Sequence, residues 1–198
     1  MTAAERREQL IEISRGLFAE RGYDGTSIEE IASRAEVSKP VVYEHFGGKE
    51  GLYAVVVDRE VRGLLTMMQN SLTGGHPREL LEQAAFTLLD YVEQSSDGFR
   101  ILVRDSPVGS ASGSFVSIIS DIATRVEHIL VAEFKTRGYD AKAAPMYAQM
   151  LVGMVGTTGQ WWLDARKPSK EVVAAHLVNL AWHGLAGLEK KPELRLPR

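Results

Sequence analysis

The chain of 198 residues contains no cysteine, which excludes disulfide bonds and thiolate metal sites. It has no run of about 18 apolar residues that could span a bilayer. Its first residues, Met1 to Arg7, lack the basic and then apolar order of a secretory signal. We therefore expect a cytoplasmic protein with no membrane partner.

Catalytic and metal-binding patterns are also missing. The chain has no HExxH, no GxSxG and no phosphate-binding glycine loop. Of the five histidines, His176 and His183 lie on one predicted helix but seven residues apart, whereas helical metal pairs are three or four apart. No acid, base and nucleophile constellation emerges. The sequence therefore indicates no enzyme, no metal site and no cofactor.

A basic composition, typical of many nucleic-acid-binding proteins, is lacking as well. The net charge is −3, and the first 50 residues contain seven Lys or Arg against ten Asp or Glu. By charge alone this segment would be rejected as a nucleic-acid binder. A DNA-binding function must therefore depend on geometry and on the local placement of charge.

Strand signals are almost absent, and helical periodicity predicts an all-α chain of about nine helices. The first helix begins after Thr2, with Glu5 completing a capping box, and ends at Gly22. A second helix opens at Thr26 or Ser27. Further helices are expected at residues 39–46, 49–72, 77–95, 97–106, 112–137, 142–166 and 169–189, separated by loops that contain Gly, Pro, Ser or Asp.

Residues 26–46 form a pattern of helix, three-residue turn and helix, which is typical of the helix-turn-helix unit. The turn is Glu36-Val37-Ser38, and Ser38 caps a helix whose Val42 and Phe46 face inward. A helix N-terminus attracts phosphate, a tyrosine hydroxyl can donate to phosphate, and an apolar side chain can touch a thymine methyl. The predicted DNA-contacting residues are Thr26, Ser27, Ser38, Lys39, Pro40, Val41, Tyr43, His45 and Lys49. A plain three-helix bundle without a DNA role is the structural alternative.

Residues 10–53 resemble the signature of the TetR/AcrR family of transcriptional regulators. The matching segments are Leu17-Phe18-Ala19-Glu20-Arg21-Gly22-Tyr23, Thr26-Ser27-Ile28, Ile31-Ala32, Ala35, Val37-Ser38, Tyr43, His45-Phe46 and Lys49-Glu50. The resemblance implies nine helices, a homodimer, and a C-terminal pocket whose ligand releases DNA. It divides the chain into a helix-turn-helix domain, 1–48, and a ligand-binding and dimerisation domain, 49–198. Two residues depart from the family: Glu36 replaces a common turn glycine, and Pro40 replaces a small residue.

The remaining apolar residues give candidates for a pocket and an interface. Met and Phe side chains on the middle helices suit an irregular pocket, although most could be ordinary core. The pocket candidates are Met67, Met68, Phe86, Leu89, Phe99, Phe115, Ile119 and Met150. Glycines and apolar residues of the last two helices predict a dimer interface, with packing inside one subunit as the alternative. The interface candidates are Gly153, Gly156, Trp161, Val173, Leu177, Leu180 and Gly184.

The sequence thus predicts a ligand-responsive transcriptional regulator. We expect a repressor that binds a palindromic double-stranded DNA operator as a homodimer and is released by a small, mostly apolar effector. A helical protein that binds small molecules without specific DNA recognition is the alternative. An all-helical enzyme is a third alternative, but no pattern of residues in the sequence supports it.

Overall fold

The computed structural model describes residues 2–103 and 115–193, with side chains from residue 120 onward in the second stretch. Within these ranges the chain forms nine α-helices, one short 3-10 helix and no strand, so the all-α prediction is confirmed. The helices are α1 (Ala3–Arg21), α2 (Ile28–Arg34), α3 (Lys39–Phe46), α4 (Lys49–Ser71), α5 (Pro77–Gln94), α6 (Ser96–Val103), α7 (Phe115–Arg137), α8 (Ala144–Ala165) and α9 (Lys170–Ala186), and the 3-10 helix is Ala141–Ala143. The predicted end of the sixth helix and start of the seventh, between 104 and 114, lie outside the described residues.

The helix ends follow the capping residues of the sequence. At the start of α1, Thr2 Oγ1 accepts from the Glu5 amide at 3.2 Å, and Glu5 Oε2 accepts from the Thr2 amide at 2.7 Å. This is the expected capping box, which satisfies two amide groups that helix geometry leaves unpaired. Ser27, one of the two predicted openings, caps α2 by accepting from the Glu30 amide.

The helices group into two compact units. The first unit combines Met1–Gln69 with Tyr91–Ile118, and the second combines Asn70–Asp90 with Ile119–Arg198. In the first unit α1 packs against α2 and α6, and α2 packs against α3. These units do not coincide with the functional division into 1–48 and 49–198. That division stays a prediction, because packing alone does not assign a function to a segment.

The second unit has its own core and its own polar ties. Leu130 and Phe134 of α7 pack with Ala144 and Ala148 of α8. At the start of α9, Lys170 Nζ lies 2.6 Å from Asp90 Oδ1 of α5.

The two adjacent tryptophans of α8 differ in burial. Trp162 is buried, and its indole N–H donates to the carbonyl oxygen of Pro168 at 2.8 Å. Trp161 is 55% exposed. Neighbouring side chains on a helix point about 100° apart, so the two indole rings lie on different sides of α8.

Candidate nucleic-acid interface

Apolar side chains hold α2 and α3 together as a helix-turn-helix. Ile28 and Ile31 of α2 and Val42 of α3 are buried. The turn between the helices is closed by a hydrogen bond from the Val37 amide to the carbonyl oxygen of Ala32 at 2.9 Å. Glu36 reverses the chain with φ 54°, in the left-handed region that a non-glycine residue occupies at a cost of about 1 kcal/mol. The departure from glycine therefore leaves the turn formed but slightly strained.

The outward face of α3 is open to solvent. Lys39, Pro40 and Glu44 are exposed, and the side chain of Tyr43 is 54% exposed. The predicted contact residues Val41 and His45 are half-buried.

The N-terminus of α3 is available to an anion. Ser38 occupies the N-cap position, but its hydroxyl makes no capping hydrogen bond with the helix. The helix dipole is positive at this end. Pro40 has no N–H, and the Val41 amide donates to the carbonyl oxygen of Ser38 at 3.1 Å, so the dipole rather than a row of free amides favours an anion here. Ser38 is exposed, and its side chain does not cover the first turn. This end of α3 is therefore suited to receive a phosphate oxygen.

Carboxylates of the same segment pair with its cations. Lys39 forms an ion pair with Glu29, and the hydrogen bond from Lys39 lowers the pKa of the Glu29 carboxyl. Glu30 Oε1 lies 2.7 Å from Arg21 Nη1 and 3.4 Å from Arg34 Nη2. The charges that could attract phosphate are therefore partly neutralised within the chain, as the acidic balance of the segment requires.

Two residues that were predicted to contact DNA form hydrogen bonds within the protein. Thr26 is buried, and its hydroxyl donates to the carbonyl oxygen of Gly22 at 2.8 Å. Lys49 Nζ donates to the carbonyl oxygens of Tyr23 and Thr26 at 2.9 and 3.0 Å. Ser27 is exposed, but its hydroxyl caps α2. The structure thus gathers the predicted residues from Ser38 to His45 on α3, whereas these other side chains have bonds inside the first unit.

Two arginines that the sequence did not single out stabilise the arrangement. The Arg7 guanidinium lies 5.1 Å from the centroid of the Phe46 ring, which connects α1 with α3. Arg6 Nη1 donates to the carbonyl oxygen of Ala35 at 3.4 Å, just after α2. The adjacent arginines in the first turns of α1 are visible in the sequence. Their roles are not, because their partners Phe46 and Ala35 are distant along the chain.

The pocket candidates occupy different environments. Met68, Leu89 and Phe99 are buried, Met67 is half-buried, and Phe86 and Met150 are exposed. The side chains of Phe115 and Ile119 lie outside the described residues. In the second unit, Phe86 lines an open groove of about 450 Å³ between α5 and α9, together with Arg78, Glu82, Gln83, Ala174, Ala175 and Val178.

The interface candidates divide into buried and exposed residues. Gly156, Val173 and Leu177 are buried, so these residues pack within the single chain. Trp161, Leu180 and Gly184 are exposed, and Gly153 is half-buried. Helices α8 and α9 carry five exposed large apolar residues in all. We call this set the α8/α9 stripe: Met146, Met150, Trp161, Val172 and Leu180.

Two other kinds of site are absent from the part of the chain that the structure describes. In the described ranges 2–103 and 115–193, no helix combines the length and the apolar character needed to cross a membrane. Over the same residues, no three His, Asp or Glu side chains are placed to hold a metal ion.

Known proteins share both the sequence and the fold. The transcriptional activator FasR of Mycolicibacterium smegmatis is 32% identical over 185 residues, which cover 92% of this chain and 84% of that protein. An HTH-type transcriptional repressor of Mycobacterium tuberculosis is 36% identical over 141 residues, covering 65% of this chain and 70% of that protein. The crystal structure of a TetR-like regulator from Rhodococcus sp. RHA1 superimposes with a TM-score of 0.80 at 27% identity, covering 95% of this chain and 100% of that one.

Two family models match separate parts of the chain. Residues 10–56, which contain the helix-turn-helix, match the bacterial regulatory proteins of the tetR family. Residues 77–184 match the tetracyclin repressor-like C-terminal domain. The chain therefore belongs to the tetR family and is a DNA-binding transcriptional regulator, not an enzyme.

Proposed function

We propose that the protein binds a roughly palindromic duplex as a homodimer and acts as a repressor that a small, mostly apolar effector releases. The observation that carries the proposal is the face of α3, where Ser38, Lys39 and Tyr43 are exposed beside an uncapped helix N-terminus. In helix-turn-helix proteins the second helix enters the major groove and its N-terminal residues reach the base edges.

The homodimer is supported by the α8/α9 stripe. Trp161 and Leu180 are 55% and 66% exposed in the single chain. Met146, Met150 and Trp161 fall on one face of α8 by helical spacing, and exposed apolar faces of this kind mark interaction sites. At Gly153 and Gly184 an added Cβ would meet no atom within 4 Å, so a second backbone could approach there. A two-fold dimer presents two copies of α3, which predicts half-sites separated by about 34–36 Å or a multiple of it.

The effector response is supported by the course of α4. This helix follows α3 after two glycines and continues for 23 residues from Lys49 to Ser71, a length of about 35 Å. A ligand that binds one arrangement of α4 better than another shifts the position of α3, and DNA must weaken that ligand by the same factor. A coupling of about 1–3 kcal/mol is ordinary for such a switch.

The direction of regulation needs its own test, because the similar proteins include an activator and a repressor. A reporter gene behind a selected operator, with and without the regulator, decides between them. The proposal expects lower expression when the regulator is present.

DNA recognition is tested by selecting duplexes from a random pool with the purified protein. We expect enrichment of an inverted repeat, and Tyr43→Phe should weaken binding to every enriched sequence because it removes a phosphate donor. Tyr147→Phe, in the second unit, is the matched control and should bind normally. No enrichment of any sequence would support the alternative function, a small-molecule-binding protein without specific DNA recognition.

Effector coupling is tested with an apolar fluorescent dye as the probe. The dye is titrated into the protein alone and into its complex with the selected duplex. The proposal expects weaker dye binding in the complex, and the dye should release the duplex. Equal affinities in both titrations would show that the dye site does not control DNA binding.

A further inference from the structure

A largely buried polar cluster in the first unit joins α1, α4, the last turn of α5 and Ser95, which follows it. Arg15 Nε of α1 lies 2.6 Å from Glu60 Oε1 of α4, and Arg15 Nη2 donates to Ser95 Oγ at 2.6 Å. The Tyr91 hydroxyl donates to Glu60 Oε2 at 2.7 Å. We call these four residues the Glu60 cluster.

Because the Glu60 cluster is largely shielded from water, its charged groups must stay paired with each other. The side chains of Glu60 and Arg15 are 8% and 19% exposed. A buried ion pair contributes little net stability compared with apolar side chains, but removal of one partner leaves an uncompensated charge. The two ends of the Arg15 guanidinium therefore hold α4 and Ser95 in one fixed arrangement relative to α1.

Gly98 of α6 brings a third helix to the same carboxylate. A Cβ at this position would lie 1.8 Å from Glu60 Oε2 and 2.8 Å from the Tyr91 hydroxyl oxygen. The backbone of α6 thus approaches Glu60 so closely that a side chain is excluded. Because α1 also packs directly against α6, a displacement of α6 must move Glu60, Tyr91 or Arg15.

We propose that Arg15 is a positioning residue that holds the helix-turn-helix in its DNA-binding arrangement through Glu60 and Ser95. The inference rests on the proposed function. Arg15 acts on α3 through α1, which packs on α2 and carries Arg7 against Phe46 of α3. The Arg15 guanidinium therefore passes movement of α4 or α6 to α1, beside the exposed ion pair of Arg59 with Glu8 and the direct chain link from α4 to α3.

Three variants separate positioning from simple stabilisation. Arg15→Gln removes the bonds from the guanidinium to Glu60 and Ser95 but leaves Glu60 without its cation. Arg15→Met combined with Glu60→Gln also removes the tie and leaves no unpaired charge, so the chain stays folded. Val56→Ala, at a buried apolar position of α4 outside the cluster, is the control for lost stability.

The first readout is a distance within the first unit. The chain has no cysteine, so Ser33→Cys on α2 and Gln94→Cys at the end of α5 provide two unique sites for spin labels. Dilution with unlabelled protein removes distances between subunits. We expect one narrow distance in the parent and in Val56→Ala, and a shifted or broadened distribution in both Arg15 variants. An unchanged distribution in the double variant would overturn the proposal.

The second readout is affinity for the selected duplex. We expect both Arg15 variants to bind at least about ten-fold more weakly, within the ordinary range of allosteric coupling, and Val56→Ala to bind like the parent. Arg15→Lys keeps the charge beside Glu60 and should recover part of the loss. Equal losses in Val56→Ala and the double variant would show a merely structural role. If the parent enriches no duplex, the proposed function fails, while the label distances still decide the positioning role.

Discussion

The Lys49 ammonium nitrogen lies 4.2 Å from the centroid of the Tyr23 ring and 2.9 Å from the carbonyl oxygen of the same residue. Lys49 is the first residue of α4, whereas Tyr23 lies in the loop between α1 and α2. The ring of Tyr23 packs in turn against Tyr53 with centroids 5.0 Å apart. The lysine therefore closes this loop onto the start of α4.

Lys49→Ala should lower the free energy of unfolding by about 1–3 kcal/mol, because hydrogen bonds from a charged donor to two carbonyls are lost. Lys135→Ala, at an exposed position in the last turn of α7, is the matched control and should change stability little. Urea unfolding followed by circular dichroism measures both. Parent stability in Lys49→Ala would mean that the lysine is not needed to close the loop.

Glu29→Gln should strengthen DNA binding several-fold, because it frees Lys39 from its ion pair at the start of α3. If both copies of Lys39 then engage phosphates, the log–log salt slope becomes steeper by up to about 1.8. Anisotropy titrations at several salt concentrations give the slope, and Glu189→Gln provides an exposed carboxylate of the second unit as the control. A slope unchanged by Glu29→Gln would contradict the pairing argument.

Leu180→Arg should convert the dimer into monomers. An unpaired charge buried at an interface costs several kcal/mol, which raises the dissociation constant at least about a hundred-fold. Ile129→Arg changes an exposed apolar residue of α7, outside the α8/α9 stripe, and should leave the dimer intact. Analytical ultracentrifugation distinguishes the two. A monomeric parent at micromolar concentration would refute the interface.

Tyr91→Phe should reduce the loss of stability at alkaline pH. Burial raises the pKa of Tyr91 above its ordinary value of 10.0, and the charge of Glu60 raises it further. Above about pH 10 the unfolded chain loses this proton while the folded chain keeps it, so the free energy of unfolding falls by up to about 1.4 kcal/mol per pH unit. Tyr91→Phe lacks this contribution. Urea unfolding between about pH 8 and about pH 11 should give a shallower decline, and parallel curves would contradict the assignment.

Local signals predicted most of the fold. Thr2 with Glu5, Ser27, Gly22 and Gly47 are residues whose preferred bonds or backbone angles end helices, so one sequence suffices to place these boundaries. The helix-turn-helix was equally accessible, because its turn and its inward face occupy only 21 consecutive residues, 26–46.

Contacts between distant residues were beyond the sequence. Arg15 and Glu60 are 45 positions apart, and no periodic pattern pairs them. Lys49 illustrates the same problem, since a lysine near the helix-turn-helix was expected to serve phosphate but donates to the loop at Tyr23 and Thr26. Apolar character also failed to separate inner from outer faces: Val173 and Leu177 pack inside, whereas Met150 is exposed.

The pairing of Lys39, Arg21 and Arg34 with carboxylates bears on how such a regulator finds one operator in a genome. Attraction to arbitrary DNA comes almost entirely from cations that displace counterions from phosphates. A segment whose cations are partly paired with its own carboxylates should spend less time on the many competing sites, which leaves more molecules free to collide with the operator. Occupancy of the operator then follows the number of regulator molecules in the cell more closely than the amount of chromosomal DNA.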